Sequence, residues 1–549
     1  MRALRTSRST ALLAGAVALA ATVSGCSGAS STSAGSAKGG TTYQVSADTP
    51  AAKGSISSFS WSLYAEPYSL DYTQAWDYPP NTVLANVCEQ LFRITPDMKI
   101  APGLAVKSAN PDPLTWVYTL RSGVKFHSGS TMTADDVVAS LKRHLDPAVG
   151  SAWGSAFKNV ASVTKTGPLE VTIKLNKPDV LLDELMAASP GTIESAAFLA
   201  RTGRDYGNPK AGVDCTGPYT LGTWAQGDSI TLKKNPTYWD STLTPKAESV
   251  KFVFIQDPAA RTNAWLSGSV DGGYLVPATS IGQLKSTSRG KLYFGPNTAA
   301  SDLAVFNLKG TLGDLKVRKA LSMALDRQSI IKAAVAGVAV PAKAPAARGA
   351  WQTAPDRTER YFSDLPDLVY DIDDAKKLIK EAGATGKKVV IASSTLTPEI
   401  TVVANAVQAA GKQIGLDVQI KPIAPDAYTA LFTDPHASAG IDLVFTNGYI
   451  NSPDPLEFYQ SFRTGDFGNY GKYSNPEFDA LYDRATAVAD PAARADLTAE
   501  LQKIALRDLP AIPLYEAPHS VFLGSRITGA PAGIAQLYYP WAAKIGSAN

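Results

Sequence analysis

The residues with the clearest potential for chemistry are His127 and Ser128, with Asp135 and Asp136 a few positions later. A histidine beside a serine, with acids nearby, contains the residue types of a hydrolytic triad. However, residues 126–129 (FHSG) are typical of a turn after a strand. The paired acids fit the N-terminus of a helix, where negative charge complements the helix dipole. We therefore interpret this cluster as structural, and an exported hydrolase remains an alternative class.

The sequence shows no recognisable pattern for cofactor or metal chemistry. It contains no P-loop, nucleophile elbow, HExxH segment or glycine fingerprint for a dinucleotide. The four histidines, His127, His144, His436 and His519, do not pair at metal-ligand spacing. The residues themselves therefore give no indication of an enzyme, a cofactor or a metal site.

The composition is that of a soluble protein with more than one folded lobe. At 549 residues the chain is too long for a single hydrophobic core, and its 45% hydrophobic and 18% charged residues are ordinary for globular proteins. The 52 basic and 49 acidic residues nearly balance, and Arg2, Arg5 and Arg8 account for the whole excess. Nucleic acid is therefore not an expected partner.

The N-terminus predicts export. Three arginines precede an apolar run over residues 11–23, which is short for a membrane span. Residues 23–26 (VSGC) are similar to a bacterial lipobox, in which the Cys26 thiol takes a diacylglyceryl group and cleavage makes it the new N-terminus. A plain secretory signal with an incidental cysteine is the alternative. We predict a signal peptide over residues 1–25 and, from their Ser, Ala, Gly and Thr content, a flexible tether over residues 26–54.

Cys88 and Cys215 are the remaining cysteines. An exported chain folds in an oxidising compartment, where the two could form a disulfide. Two buried free thiols are the alternative.

Hydrophobic periodicity predicts alternating strands and helices, which indicates α/β organisation. Helices are expected after the capping-box-like Thr133, between Asp257 and Gly268, and after Asp314. The predicted strands include residues 116–120, 171–175, 389–392, 416–420, 441–445 and 511–515. The last of these is predicted to return to the first lobe.

Several ordered segments resemble the extracytoplasmic solute-binding proteins of ABC importers, in the oligopeptide, dipeptide and nickel-binding family (family 5). The segments are residues 216–219 (TGPY), 235–239 (NPTYW), 88–92 (CEQLF), 101–105 (APGLA), 120–127 (LRSGVKFH), 133–137 (TADDV), 317–322 (VRKALS), 375–383 (AKKLIKEAG), 453–455 (PDP) and 508–515 (DLPAIPLY). Their order and spacing span nearly the whole chain after the leader.

The resemblance implies a fold of two α/β lobes around a cleft, of the type II periplasmic-binding-protein class, with an extra inserted subdomain. We expect lobe I to be discontinuous, over residues 55–89, 190–297 and 514–549. The inserted subdomain is expected over residues 90–189 and lobe II over residues 298–513. Two lobes joined by crossing strands could close around a solute.

The resemblance also implies a location for the ligand. Residues 66–71 (EPYSLD) are similar to a loop that reaches the cleft in the family, so Trp76 and Asp77 just beyond it are candidate ligand-binding residues. Residues 446–455 are similar to a second cleft segment. This segment adds the candidates Asn447, Gly448, Tyr449, Asn451 and Asp454.

Asn451 bears on the ligand class. Peptide-binding members of the family place a tryptophan and then an aspartate before a proline-containing turn, and the aspartate pairs with the peptide's amino group. Here Gly448 and Asn451 stand at those positions, while a shifted alignment would bring Asp454 into the site. Asparagine lacks the charge that makes an ammonium contact strong. A neutral solute such as an oligosaccharide is therefore an alternative to a peptide.

The function implied by the resemblance is capture of a small solute, a peptide or an oligosaccharide, for delivery to a membrane permease. The expected partners are an ABC permease and its ATPase subunits. We expect a monomer that is held by its lipid at the outer face of the bacterial cytoplasmic membrane. A sensor or adhesion lipoprotein that works without a transporter is a further alternative.

Overall fold

The computed structural model describes residues 43–549. The predicted signal peptide, Cys26 and residues 26–42 of the predicted tether lie outside the described residues. Within residues 43–549, none of the helices combines the length and the apolar character needed to span a bilayer.

The first large sheet has seven strands and forms the centre of lobe I. Its strands, in spatial order, are Tyr219–Ala225, Ser229–Lys234, Ala247–Phe254, Ile56–Leu63, Gly272–Tyr274, His519–Gly524 and Gly290–Gly295. Ile56–Leu63 pairs in parallel with Ala247–Phe254, whereas His519–Gly524 runs antiparallel to both of its neighbours. The helices that accompany this sheet are Tyr78–Leu84, Pro258–Ser267 and Ile281–Ser286. Lobe I is therefore assembled from three separate parts of the chain.

The inserted subdomain has an antiparallel sheet, and its hydrophobic core also includes Ile534, Ala535, Leu537 and Tyr538 from the C-terminal part of the chain. The strands, in spatial order, are Ala105–Asp112, Thr115–Leu120, Glu170–Leu175 and Val160–Gly167. The helices Ala134–Lys142 and Leu181–Leu185 lie in the same part of the chain, and the helix Ala196–Thr202 follows it. Short pairs join Glu89–Gln90 to Thr192–Ile193 and Phe92–Ile94 to Ile100–Pro102. Glu89–Gln90 and Thr192–Ile193 mark where the chain enters and leaves the subdomain.

The second large sheet has six strands and forms the centre of lobe II. Its strands, in spatial order, are Val340–Pro341, Ala511–Glu516, Ala300–Val305, Leu443–Gly448, Lys388–Ser393 and Asp417–Pro422. The helices of this lobe are Leu315–Met323, Arg327–Val335, Pro355–Ser363, Ile372–Glu381, Pro398–Ile414, Leu456–Gln460, Pro476–Thr486 and Pro491–Asp508.

Ala511–Glu516 corrects one prediction. Residues 511–515 form the expected strand, but it pairs with Ala300–Val305 in lobe II instead of returning to lobe I. The strand that returns is His519–Gly524. The chain therefore crosses between the lobes twice, first between the strands Gly290–Gly295 and Ala300–Val305, and again at Ala517 and Pro518. Lobe I therefore resumes a few residues after the predicted position 514.

The predicted helix ends are confirmed. Asp257 caps its helix by accepting a 2.7 Å hydrogen bond from the Ala260 amide, and Gly268 ends the helix in the left-handed conformation with φ of 77°. Thr133 and Asp136 form a capping box, and Asp314 caps Leu315–Met323. These interactions satisfy amide groups that have no partner inside the helix.

Residues 43–54 do not behave as a free tether. The Ser46 amide donates to the Phe294 carbonyl, the Thr49 hydroxyl donates to the Ala530 carbonyl, and the Lys53 amide donates to the Ser547 carbonyl. This segment therefore lies along lobe I. The predicted boundary at residue 54 is too late, because a serine- and alanine-rich composition does not exclude backbone pairing.

A disulfide joins Cys88 to Cys215. Both residues are buried in the core of lobe I, and they are 127 positions apart in sequence. The bond therefore links the parts of lobe I that precede and follow the inserted subdomain.

Candidate functional site

A cavity of about 980 Å³ lies between the two lobes. Lobe I, the inserted subdomain, lobe II and both crossing segments contribute to its walls. Aromatic side chains form much of the lining, among them Tyr64, Trp76, Tyr78, Phe294, Tyr428, Phe432, Phe445, Phe467 and Tyr470. A cavity of this size with apolar walls and a few polar groups is typical of a site for a small molecule.

Trp76 and Asp77 both line this cavity, as the sequence suggested. Asp77 caps the helix Tyr78–Leu84 through a 2.7 Å hydrogen bond from the Tyr78 amide. Its two oxygens also lie 3.2 Å from the Tyr64 hydroxyl, which donates to them. Burial raises the pKa of Asp77, although these hydrogen bonds act in the opposite direction. Asp77 is thus an acid held in a fixed orientation at the lobe I wall.

Asn447, Gly448 and Tyr449 also line the cavity, at the end of the strand Leu443–Gly448. Asn447 is exposed, and its Oδ1 accepts a 2.6 Å hydrogen bond from the Ser301 hydroxyl on the neighbouring strand. Among residues 43–549, its side-chain amide nitrogen makes no hydrogen bond. The Tyr449 ring packs on Tyr78 with ring centres 4.9 Å apart, and so connects lobe II to lobe I.

Asn451 reaches the cavity wall, but its polar atoms are used inside the protein. Its amide nitrogen donates a 2.7 Å hydrogen bond to Oε1 of Glu457. Its Oδ1 accepts a 2.7 Å hydrogen bond from the hydroxyl of Tyr538. The protein therefore already uses one of the two N–H donors of this side chain and one of the two lone pairs on its oxygen.

Asp454 does not line the cavity. It is 1% exposed, and its Oδ2 accepts a 2.6 Å hydrogen bond from Nε of Arg494. Arg494 also pairs with Glu184 of the inserted subdomain. The structure therefore corrects the shifted alignment, because Asp454 belongs to a buried ion-pair network that attaches the subdomain to lobe II.

The sequence interpretation missed two charged residues of the cavity, Arg261 and Glu399. Arg261 lies on the lobe I helix Pro258–Ser267 and is 6% exposed. One signal could have identified it: Arg261 and Trp265 are four positions apart and therefore share the buried face of the helix. Glu399 lies in the first turn of Pro398–Ile414, on lobe II.

The guanidinium of Arg261 makes few hydrogen bonds for a buried cation. Its Nη1 donates a 3.3 Å hydrogen bond to the Ile255 carbonyl, and its Nε is buried without a partner. Within the described residues it forms no ion pair, although the negative charge of Glu399 is near enough to act on it. Burial lowers the pKa of Arg261 to about 10, so the guanidinium stays charged at neutral pH. Burial also raises the pKa of Glu399.

The hydrolytic arrangement considered from the sequence is not assembled. The ring Nε2 of His127 lies 3.0 Å from the Gly217 carbonyl, and the Ser128 hydroxyl is 3.1 Å from that of Ser130. Asp136 is used in the capping box with Thr133. These side chains have structural roles in the turn and the helix that follow the strand.

Two lobes with a ligand-sized cavity between them are typical of bilobal solute-binding proteins. The profile of the bacterial extracellular solute-binding proteins, family 5 (middle region), matches residues 99–470. The chain belongs to this family, whose members serve ABC importers and are transport binding proteins rather than enzymes.

Relatives agree with this assignment. The chain is 28% identical over 455 residues to the glutathione-binding protein GsiB of Salmonella paratyphi A, covering 81% of this chain and 86% of GsiB. It is 28% identical over 490 residues to the oligopeptide-binding protein OppA of Bacillus subtilis, covering 82% and 86%. The fold matches the ABC transporter-associated periplasmic binding protein DppA of Helicobacter pylori, solved with the peptide STSA. That match has a TM-score of 0.79 at 21% identity and covers 90% of this chain and 99% of DppA.

Proposed function

We propose that this solute-binding protein captures a short peptide-like solute carrying both a carboxylate and an amino group. The observation that carries the proposal is Arg261, a buried cation without an ion-pair partner that lines the same cavity as two carboxylates, Asp77 and Glu399. The names of GsiB and OppA, which bind glutathione and oligopeptides, point to the same class of solute.

The physical argument starts from the cost of burying Arg261. A buried charge without a partner loses several kcal/mol of hydration free energy, and a carboxylate placed beside it recovers much of that loss. A guanidinium can also donate two parallel hydrogen bonds to one carboxylate. Asp77 would then attract the ammonium group of the solute.

The position of the charges favours closure of the lobes. Arg261 and Asp77 lie on lobe I, whereas Glu399 and Asn447 lie on lobe II. A solute that contacts both walls binds the closed arrangement more strongly than the open one and so shifts the population toward it. The permease of the importer would then receive the closed, loaded form.

The same proposal includes the attachment of the protein. Cys26 would carry a diacylglyceryl anchor, and the chain before residue 43 would let a monomer reach the permease from the outer face of the membrane. The sequence pattern at residues 23–26 supports this part.

Calorimetry with a matched set of ligands tests the solute class. The set comprises trialanine, trialanine amide, N-acetyl-trialanine and the neutral sugar maltotriose. We expect trialanine to bind best, and Arg261→Gln to weaken its binding at least tenfold while affecting trialanine amide little. Arg204→Gln, which changes an exposed arginine outside the cavity, is the control. Binding of maltotriose but not of trialanine would overturn the peptide assignment in favour of a neutral solute.

A further inference from the structure

Lobe II buries a carboxyl group that the proposed peptide site does not use. Asp302 lies on the strand Ala300–Val305, opposite Thr446 of the neighbouring strand, and is 2% exposed. Its Oδ1 has no hydrogen-bond partner among the described residues. Arg327 is near, but its guanidinium donates to the Pro513 and Ser322 carbonyls and to the Ser322 hydroxyl. Burying a carboxyl group that accepts no hydrogen bond costs free energy, so the presence of Asp302 at this position needs an explanation.

Asp302 faces a second cavity, of about 230 Å³. This volume is several times the roughly 30 Å³ that one water molecule occupies in the liquid. Its walls include five aromatic rings, those of Tyr449, Phe458, Phe462, Tyr470 and Tyr473. Glu457 also borders the cavity, but both of its carboxylate oxygens accept hydrogen bonds from Asn451 and Ser452. Asp302 is therefore the acid with free acceptor capacity in this lining.

The second cavity adjoins the interlobe cavity. Thr446, Gly448, Tyr449 and Tyr470 line both. Gly448 leaves the boundary open, because a Cβ at that position would meet only the Thr446 hydroxyl oxygen within 4 Å, at 3.8 Å. A ligand in the interlobe cavity can therefore extend a side chain past Gly448.

We propose that this second cavity is a side pocket that receives a cationic side chain of the solute, an ammonium or guanidinium group, with Asp302 as its counter-charge. The aromatic walls add to the attraction, because cations are favoured over the faces of aromatic rings. The inference rests on the proposed peptide-like solute and specifies one of its residues as basic.

The charges around Asp302 affect whether its carboxyl group is protonated, so binding of a cation in the pocket should change this protonation. Burial and the neighbouring Glu516 raise the pKa of Asp302, whereas Arg327 lowers it. A cation that enters the pocket would stabilise the carboxylate form, so any proton bound by Asp302 would be released to solvent.

Position-scanned tripeptides provide the main test. In each position of trialanine, lysine is compared with norleucine, which has a similar chain but no charge. We expect lysine to bind at least tenfold more tightly than norleucine at one position, with release of up to one proton, measured by calorimetry in phosphate and in Tris buffer. In Asp302→Asn and in Gly448→Leu the preference for lysine should disappear. Asp426→Asn, which changes an exposed acid of lobe II outside both cavities, should keep it.

The n-butylammonium ion separates failure of the pocket from failure of the peptide assignment. Ligand-observed NMR should detect its binding to the unaltered protein and a loss of that binding in Asp302→Asn, whether or not any tripeptide binds. Circular dichroism on the variant checks that it is folded. Equal binding of n-butylammonium to both proteins, or no binding to either, would overturn the side pocket.

Discussion

The hydroxyl of Tyr449, on lobe II, donates a 2.7 Å hydrogen bond to the backbone carbonyl of Trp76, on lobe I. Both residues line the interlobe cavity, so this bond lies where the two walls meet. It exists only while the lobes are close together. The bond therefore stabilises the closed arrangement without requiring any particular solute.

Tyr449→Phe should weaken ligand binding by changing closure. Removing one hydrogen bond of this kind costs about 0.5–1.5 kcal/mol net, which corresponds to a roughly twofold to tenfold loss of affinity. Calorimetry with any bound solute measures the loss, and small-angle scattering should show a larger open fraction.

Tyr274→Phe is the matched control for this experiment. The Tyr274 hydroxyl donates a 2.9 Å hydrogen bond to the Pro531 carbonyl within lobe I, away from the cavity lining. Tyr274→Phe should lower the free energy of unfolding by about the energy of one hydrogen bond, without changing the affinity for the solute. Equal affinities of Tyr449→Phe and the unaltered protein would show that the bond does not contribute to closure.

The disulfide between Cys88 and Cys215 should stabilise lobe I. It closes a loop of 127 residues, and a disulfide of this kind typically contributes about 2–4 kcal/mol by restricting the unfolded chain. Denaturant unfolding of the Cys88→Ser/Cys215→Ser variant should show this loss relative to the oxidised protein. The reduced unaltered protein should resemble the variant, and two free thiols in the unfolded, unreduced protein would refute the bond.

The local elements of this protein could be predicted from sequence because their signals are local. Asp257 and Gly268 bound a helix through interactions within a few residues of each end. The strand over residues 511–515 was also predicted, but its sheet was not. Five consecutive buried residues fit the centre of either sheet, and only the non-local partner Ala300–Val305 decides between them.

The charged groups of the candidate site were harder to predict. Arg261, Glu399 and Asp302 come from three distant parts of the chain. Arg261 and Asp302 stand out because, among the described residues, Nε of the first and Oδ1 of the second have no hydrogen-bond partner. A lone arginine or aspartate in a sequence gives no sign that its partner is missing. Asn451 was singled out by family resemblance, but sequence alone could not reveal that Glu457 and Tyr538 engage it.

Cys26→Ala should abolish membrane retention of the full-length protein. If the lipid is the anchor, its loss leaves either unprocessed or freely released protein, since none of the helices within residues 43–549 could span the membrane instead. Cell fractionation with mass spectrometry of the N-terminus measures both outcomes. Ser27→Ala, the change at the next residue, is the control and should remain bound. Equal retention of Cys26→Ala would contradict lipidation.

Asn451→Asp should destabilise the protein instead of improving peptide binding. The Asn451 side chain donates to Glu457, whose carboxylate also accepts from the Ser452 amide. An aspartate would replace this donor by a second buried carboxylate, and two such groups cannot both ionise without a large cost. We expect the free energy of unfolding to fall by about 2 kcal/mol or more at pH 7.5.

The pH dependence of this variant follows from the sign of the shift. Burial already raises the pKa of Glu457, and a neighbouring carboxylate would raise it further. A carboxyl whose pKa is raised by folding binds its proton more tightly in the folded state, so folding is favoured at low pH. That contribution is lost as the pH rises from about 4.3, the usual value for glutamate, through the raised folded pKa. The loss of stability in Asn451→Asp should therefore shrink on acidification, whereas that in Asn451→Ala should stay nearly constant.

Asn447→Asp, whose carboxylate would face the cavity from an exposed position, is the variant expected to favour solutes with a free amine. A pH-independent deficit in Asn451→Asp, or a gain in affinity for free amines in that variant, would mean that residue 451 points to the ligand and not to Glu457.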